Sequence, residues 1–191
     1  LVRDFDLSRV SKNPAVWDPE KLEWMNGAYL RSMSPESFVD LMVPVLAEHD
    51  LLTPEEATER REWLLRLAPH VAERVKVLPD IPGVVGFLFA ERIELDPSAI
   101  EKALHAEGAG RALDDAAARL RSLDTFDAAH VETALRETPG AVAVKPKIAF
   151  QAIRVAVTGS TVSLPLFESI ELLGKEASVR RIETARTLAL D

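Results

Sequence analysis

The sequence predicts an all-α protein. Three observations carry that expectation: helix start signals recur along the chain, apolar residues repeat at helical intervals, and the few β-like runs have no partner or hairpin turn. In chain order, Asp18-Pro19 and Ser34-Pro35 each set a capping oxygen before a proline suited to the first helical turn. Phe38, Leu41, Met42, Val45 and Leu46 then form one apolar stripe. Thr53-Pro54 with Glu56 has the form of a capping box, followed by Trp63, Leu64 and Leu67. Val84 to Phe89 is the longest β-like run; Val155 to Val157 is another, and neither is paired. Asp96-Pro97 opens a further helix, with Ile100, Ala103 and Leu104 inward, and Leu113, Ala116, Ala117 and Leu120 define the next. Asp127 is a cap flanked by a hydrophobic staple, Phe126 with Val131. Pro139-Gly140 and Lys145-Pro146-Lys147 are breaks. An apolar helix follows, closes at Thr158-Gly159, and another begins after Pro165. Ile182, Ala185 and Leu188 mark the last.

These signals divide the chain into 1–33, an aromatic-rich start; 34–92, three or four helices; and 93–191, the remainder. With 191 residues, 47% of them hydrophobic, the chain can build one sizeable core or two small ones packed together. The aromatic side chains are expected inside, because they occupy apolar positions of amphipathic patterns. The chain begins at Leu1 within a patterned segment, which reads as part of something longer.

The composition excludes several classes of function. A net charge of −8 argues against broad, nonspecific nucleic-acid binding, which draws on many phosphate contacts by lysine and arginine. Local cationic clusters remain: Arg3, Arg9 and Lys12; Arg60, Arg61 and Arg66; Arg74 and Lys76; Lys145, Lys147 and Arg154; Arg180, Arg181 and Arg186. Taken alone, each reads as a solvated helix face. No apolar run reaches the length needed to span a bilayer and the start has no signal-peptide pattern, so a cytoplasmic protein with no membrane partner is expected. Zero cysteines rule out disulfides and thiolate chemistry. His49, His70, His105 and His130 share no helical face, so no metal site is expected. The sequence has no phosphate-cradling glycine loop, GxSxG elbow or HExxH helix. Glu55-Glu56 and Asp114-Asp115 read as first-turn acids that offset helix dipoles. No catalytic residue is assigned.

The feature left over is the polar loop between Gly159 and Pro165, with Arg154 just upstream. A helix end, a loop and a fresh helix N-terminus brought together can hold an anionic or flat ligand.

Three stretches carry a resemblance. FDLSRVSKNPAVWDPEKLEWMNGAYLR, residues 5–31, is similar to the segment after the KMSKS-type loop of bacterial glutamyl-tRNA synthetases. ERVKVLPDIPGVVGFLF, residues 73–89, resembles a middle stretch of the same enzymes, and the chain from Arg154 onward resembles their end. The resemblance implies a class I aminoacyl-tRNA synthetase without its nucleotide-binding half: the end of a stem-contact domain over 1–33, then a helical anticodon-binding cage in two packed subdomains, 34–92 and 93–191. It implies glutamate tRNA as partner, a monomer, and ATP with magnesium only in the parent enzyme's catalytic domain. By position it implies that Arg74 meets the third anticodon base and that Arg136, Arg154 and the loop Ser163, Leu164, Pro165 and Leu166 hold the others. Leu164 and Leu166 would then offer apolar surface to a base. The family often has a glycine between the proline and leucine of this loop; here the proline stands one place later, at Pro165. Lys21, Glu23 and Asn26 match the family's pattern and take structural roles. The rival expectation from another class is a helical protein-interaction module with no RNA role. The two separate on whether Arg74, Arg136 and Arg154 converge on the Ser163 loop.

Overall fold

Side-chain caps start five of the twelve α-helices among the described residues. A computed structural model describes residues 17–191; the Arg3, Arg9 and Lys12 cluster and the rest of positions 1–16 lie outside the described residues. In α1 (Pro19–Ser32) the Asp18 carboxylate accepts the Lys21 N–H at 3.0 Å. In α2 (Pro35–Glu48) the Ser34 hydroxyl accepts from Ser37. The capping box of α3 (Pro54–Glu59) is complete: Thr53 Oγ1 accepts the Glu56 N–H, and Glu56 returns a bond to the Thr53 N–H at 2.8 Å. Such a cap stabilises a helix by about 1 kcal/mol. α4 (Arg61–Ala72) follows, and its last turn leads into the short turns Leu78–Asp80, α5 (Ile81–Val85) and Gly86–Leu88. The β-like run Val84 to Phe89 is therefore helical, made of single turns punctuated by glycine.

The second half opens with α6 (Pro97–Ala99), which continues into a π-turn over Ile100–Leu104. Then come α7 (Ala109–Ser122), α8 (Ala128–Arg136), capped by Asp127, the single turn α9 (Thr138–Ala141) and α10 (Pro146–Thr158). α11 (Leu166–Leu173) and α12 (Lys175–Arg186) complete the order. Among the described residues there is no strand.

Two hydrophobic cores form, one in each half. The first gathers Leu30 of α1, Phe38, Met42 and Leu46 of α2, Leu64, Leu67 and Val71 of α4, and Ile81 and Val85 of α5. The second gathers Leu113 and Leu120 of α7, Val131 and Leu135 of α8, Ile153 and Val157 of α10, Ile170 of α11 and Ile182 of α12. Each fully buried side chain of this size contributes roughly 1.5–3 kcal/mol. The halves meet along α11 and α12. The Trp63 indole N–H donates to the Leu172 carbonyl at 3.0 Å and Arg66 pairs with Glu171 at 3.0 Å; within the second half, Asp96 N–H donates to the Gly159 carbonyl at 3.0 Å. Gly159 has φ 82°, and a Cβ there would lie 2.6 Å from the Glu94 carbonyl oxygen, so both the turn and the close approach require glycine.

Several sequence expectations are corrected. Asp114 and Asp115 lie in the middle of α7, not its first turn, and pair with Arg186 and Arg119. Trp17, Trp24 and Tyr29 are exposed, not internal, because α1 buries only Gly27 and Leu30. Leu188 lies past the end of α12 and is also exposed. Arg181, read as a solvated cation, is buried.

Candidate anticodon-facing site

α10 ends where Gly159 turns left-handed, and the loop that follows is closed by α10 itself. Thr158 Oγ1 donates back to the Arg154 carbonyl at 2.9 Å. Arg154 Nη1 crosses the loop, donating to Ser163 Oγ at 2.6 Å and to the Leu164 carbonyl at 2.9 Å. Arg154 therefore meets the loop, not an acidic neighbour, and it holds residues 163–165 against the helix. Past the loop, Ser169 Oγ donates to the Pro165 carbonyl at 2.6 Å. No side chain caps α11, which leaves the N–H groups of its first turn directed at the loop's open side.

Burial depresses the proton affinity of Arg154, and the nearby charge of Arg74 depresses it further. Arg74 follows the last turn of α4. Its backbone N–H donates to Val71, but its exposed side chain makes no hydrogen bond or ion pair among the described residues, so it does not cap its own helix. On the loop's other side, the Arg136 guanidinium lies 5.8 Å from the Phe167 ring centroid, within cation–π reach, while its Nε donates to Glu132 at 2.8 Å. Phe167 meets Phe150 edge-on at 6.0 Å.

Two of the loop expectations change. Leu164 has no exposed surface and plugs the first core, and Leu166 is 5% exposed and belongs to the second. Neither side chain can offer apolar surface to a base; each is turned inward because the loop runs over the seam between the cores. Ser163, Pro165 and the ring of Phe167 stay half-buried, and Val162 of the same loop is exposed. The Asn26 amide donates to the Lys76 carbonyl, two residues from Arg74, so it ties α1 to the 34–92 segment and does not act within 1–33 alone. Phe167 is the contributor that the spacing arguments undervalued; its place directly after the loop was the available signal. Among the described residues no group of three or more His, Asp or Glu side chains is placed to share a metal ion.

Comparison with known proteins gives a consistent set of likenesses. The family described as anticodon binding domain matches residues 37–186. Over 97% of its length the chain is 40% identical to a glutamate–tRNA ligase of Roseiflexus castenholzii, and over 95% it is 41% identical to one of Saccharopolyspora erythraea. It spans 37% and 36% of those relatives' own lengths. A crystal structure of a glutamate tRNA ligase from Elizabethkingia meningosepticum, in complex with its amino acid, superposes with a TM-score of 0.80 at 25% identity, covering 97% of this chain and 36% of that one.

Proposed function

We propose that this chain, which belongs to the anticodon binding domain family, grips the anticodon arm of glutamate tRNA as the C-terminal part of a glutamate–tRNA ligase. In this reading the parent enzyme activates glutamate elsewhere in its length, and the part described here orients the tRNA so that its acceptor end reaches that site. The protein works as a monomer in the cytoplasm. The observation that carries the reading is the meeting of Arg74, Arg154 and Arg136 around the Ser163 to Phe167 loop, across a seam between two helical halves. That convergence also counts against a purely protein-binding role.

The chemistry suits a flipped-out base. The pairing edge of cytosine presents the O2 and N3 acceptors, which the free fork of Arg74 can satisfy, whereas guanine presents N–H donors at the same place. Glutamate and glutamine anticodons differ at the third base, so Arg74 would reject the wrong tRNA. A donor left unpaired costs roughly 1–3 kcal/mol, about tenfold or more in affinity. Phe167 and Arg136 together offer a stacking surface for a neighbouring base, while the uncapped N–H groups of α11 and Ser163 meet its edge or a phosphate.

Binding of the chain to glutamate tRNA, and to a variant with guanine at the third anticodon position, is compared at one salt concentration. The expected outcome is about tenfold tighter binding of the cytosine form, with Arg74→Ala bringing the two affinities together. Equal affinities for the unaltered chain would defeat the discrimination claim. An unchanged ratio in Arg74→Ala would place the discriminating contact elsewhere.

A further inference from the structure

Arg181 is the most buried cation in the described residues, 6% exposed, and it has no carboxylate partner. It lies on the inner stripe of α12 beside Ser178, Ile182 and Ala185. Its fork is spent on three main-chain oxygens from two segments of the chain. Nη1 donates to the Val157 carbonyl at 2.8 Å, and Nη2 donates to the Phe87 carbonyl at 2.9 Å and to the Ala90 carbonyl at 2.6 Å. Val157 is on α10, three residues beyond Arg154. Phe87 and Ala90 end the first half of the chain, just before the connection that Gly159 receives at Glu94 and Asp96.

Stability alone explains this arrangement poorly. A buried guanidinium with no counter-charge carries a desolvation cost, and its Nε is enclosed without any partner, so one donor is left unmet. An apolar side chain of similar volume would avoid both costs, though it would leave the Val157, Phe87 and Ala90 carbonyls without this donor. What only the guanidinium supplies is geometry: a planar group with fixed nitrogen spacing that sets where the two backbone segments stand relative to one another. Burial of Leu164 and Leu172 in the first core is non-directional, and the Trp63–Leu172 and Arg66–Glu171 bonds tie the halves at α11 only.

We infer that Arg181 is the positioning residue of the site, a clamp that fixes the first half, with Arg74, against the second, with Arg154 and Ser163. This rests on the proposed anticodon reading only for its consequence in RNA binding; the clamp itself is a property of the protein alone. The two are tested separately.

The chain has no cysteine, so Glu48→Cys in α2 and Lys147→Cys in α10, both exposed and in opposite halves, take spin labels at those two positions only. Pulsed electron-spin distance measurements are made on the unaltered background, on Arg181→Met and on Arg181→Lys, with far-UV circular dichroism confirming helix content in each. The expected result is one narrow distance distribution for the arginine form, a clearly broader one for Arg181→Met at unchanged helicity, and an intermediate one for Arg181→Lys, whose point charge reaches the carbonyls without the fork. Should Arg181→Met fail to fold, the lysine variant carries the test. A folded variant whose distribution superposes on the arginine form would overturn the inference. In the RNA arm, the clamp predicts that the cytosine-to-guanine affinity ratio falls in Arg181→Met even though Arg74 is intact. If the distances broaden and the unaltered chain binds no tRNA, the clamp stands and the anticodon reading falls.

Discussion

The two hydrophobic cores differ in what they need from each other. Among the described residues, the second draws its buried side chains from positions 99–185 alone, all within its own half. The first is built from positions 30–88 but is completed by Leu164 and Leu172, which arrive from the other half. For the buried apolar side chains dependence therefore runs one way, while Arg181 of the second half reaches back to the Phe87 and Ala90 carbonyls. The residues that complete the first core belong to the loop and helix that form the candidate site, so the shape of that loop and the stability of the first half are one problem. Arg154 tying down the Leu164 carbonyl and Leu164 filling the first core are two ends of the same residue.

The sharpest way to break this comparison is to separate the halves. Expressed alone, 93–191 should be helical and melt cooperatively, while 17–92 should lose most of its helix, because its core lacks two of its leucines. Circular dichroism melts of both pieces check this; a cooperatively folding 17–92 would refute the asymmetry. A smaller perturbation in the intact chain is Leu164→Ala. Truncating a fully enclosed leucine costs about 2–5 kcal/mol, depending on how far the site collapses. Amide exchange should accelerate in α2 and α4 well before α7 and α10. Equal loss of protection in both pairs would show that the cores behave as one.

How much of this the sequence disclosed follows from the range of the interactions. The caps at Asp18, Ser34, Thr53, Asp96 and Asp127 are legible because each is closed by an N–H two or three residues on. A shared site for Arg74 and Arg154 is an expectation from the resemblance alone, since no local rule links the two positions. Arg181 was misread. Its partners stand 94, 91 and 24 residues away, and a charge in an otherwise patterned helix looks solvated until those carbonyls are placed. Its position beside Ile182 and Ala185 on the apolar stripe was the available clue. Leu164 and Leu166 were misassigned for a related reason: two leucines flanking a proline in a polar loop give no sign of which core each will enter.

Acid offers the mildest test, and one that should not distinguish the halves. Two capping-region carboxylates in each half are held below the usual carboxylate range. Glu36 is lowered by its own backbone N–H and then by Ser34, Glu56 by the Thr53 N–H, Asp96 by that of Ser98, and Asp127 by that of His130. A carboxyl whose proton affinity is lower folded than unfolded stabilises the fold in its charged form. That contribution is complete above the unfolded value of about 4, and it disappears as pH falls through the folded values. Stability should therefore stay flat from neutral pH down to about 5 and decline below about 4. All four groups are exposed, so the decline is small, and since backbone hydrogen bonds dominate the shifts it should depend little on salt. Urea melts across this range, followed by amide exchange, should show α3 and α8 loosening together. Glu56→Gln should flatten the acid response of α3 and leave that of α8 unchanged, because each cap is closed within its own turn. If Glu56→Gln also altered α8, the halves would be coupled through charge as well as through Leu164 and Leu172, and the one-way dependence would no longer describe them.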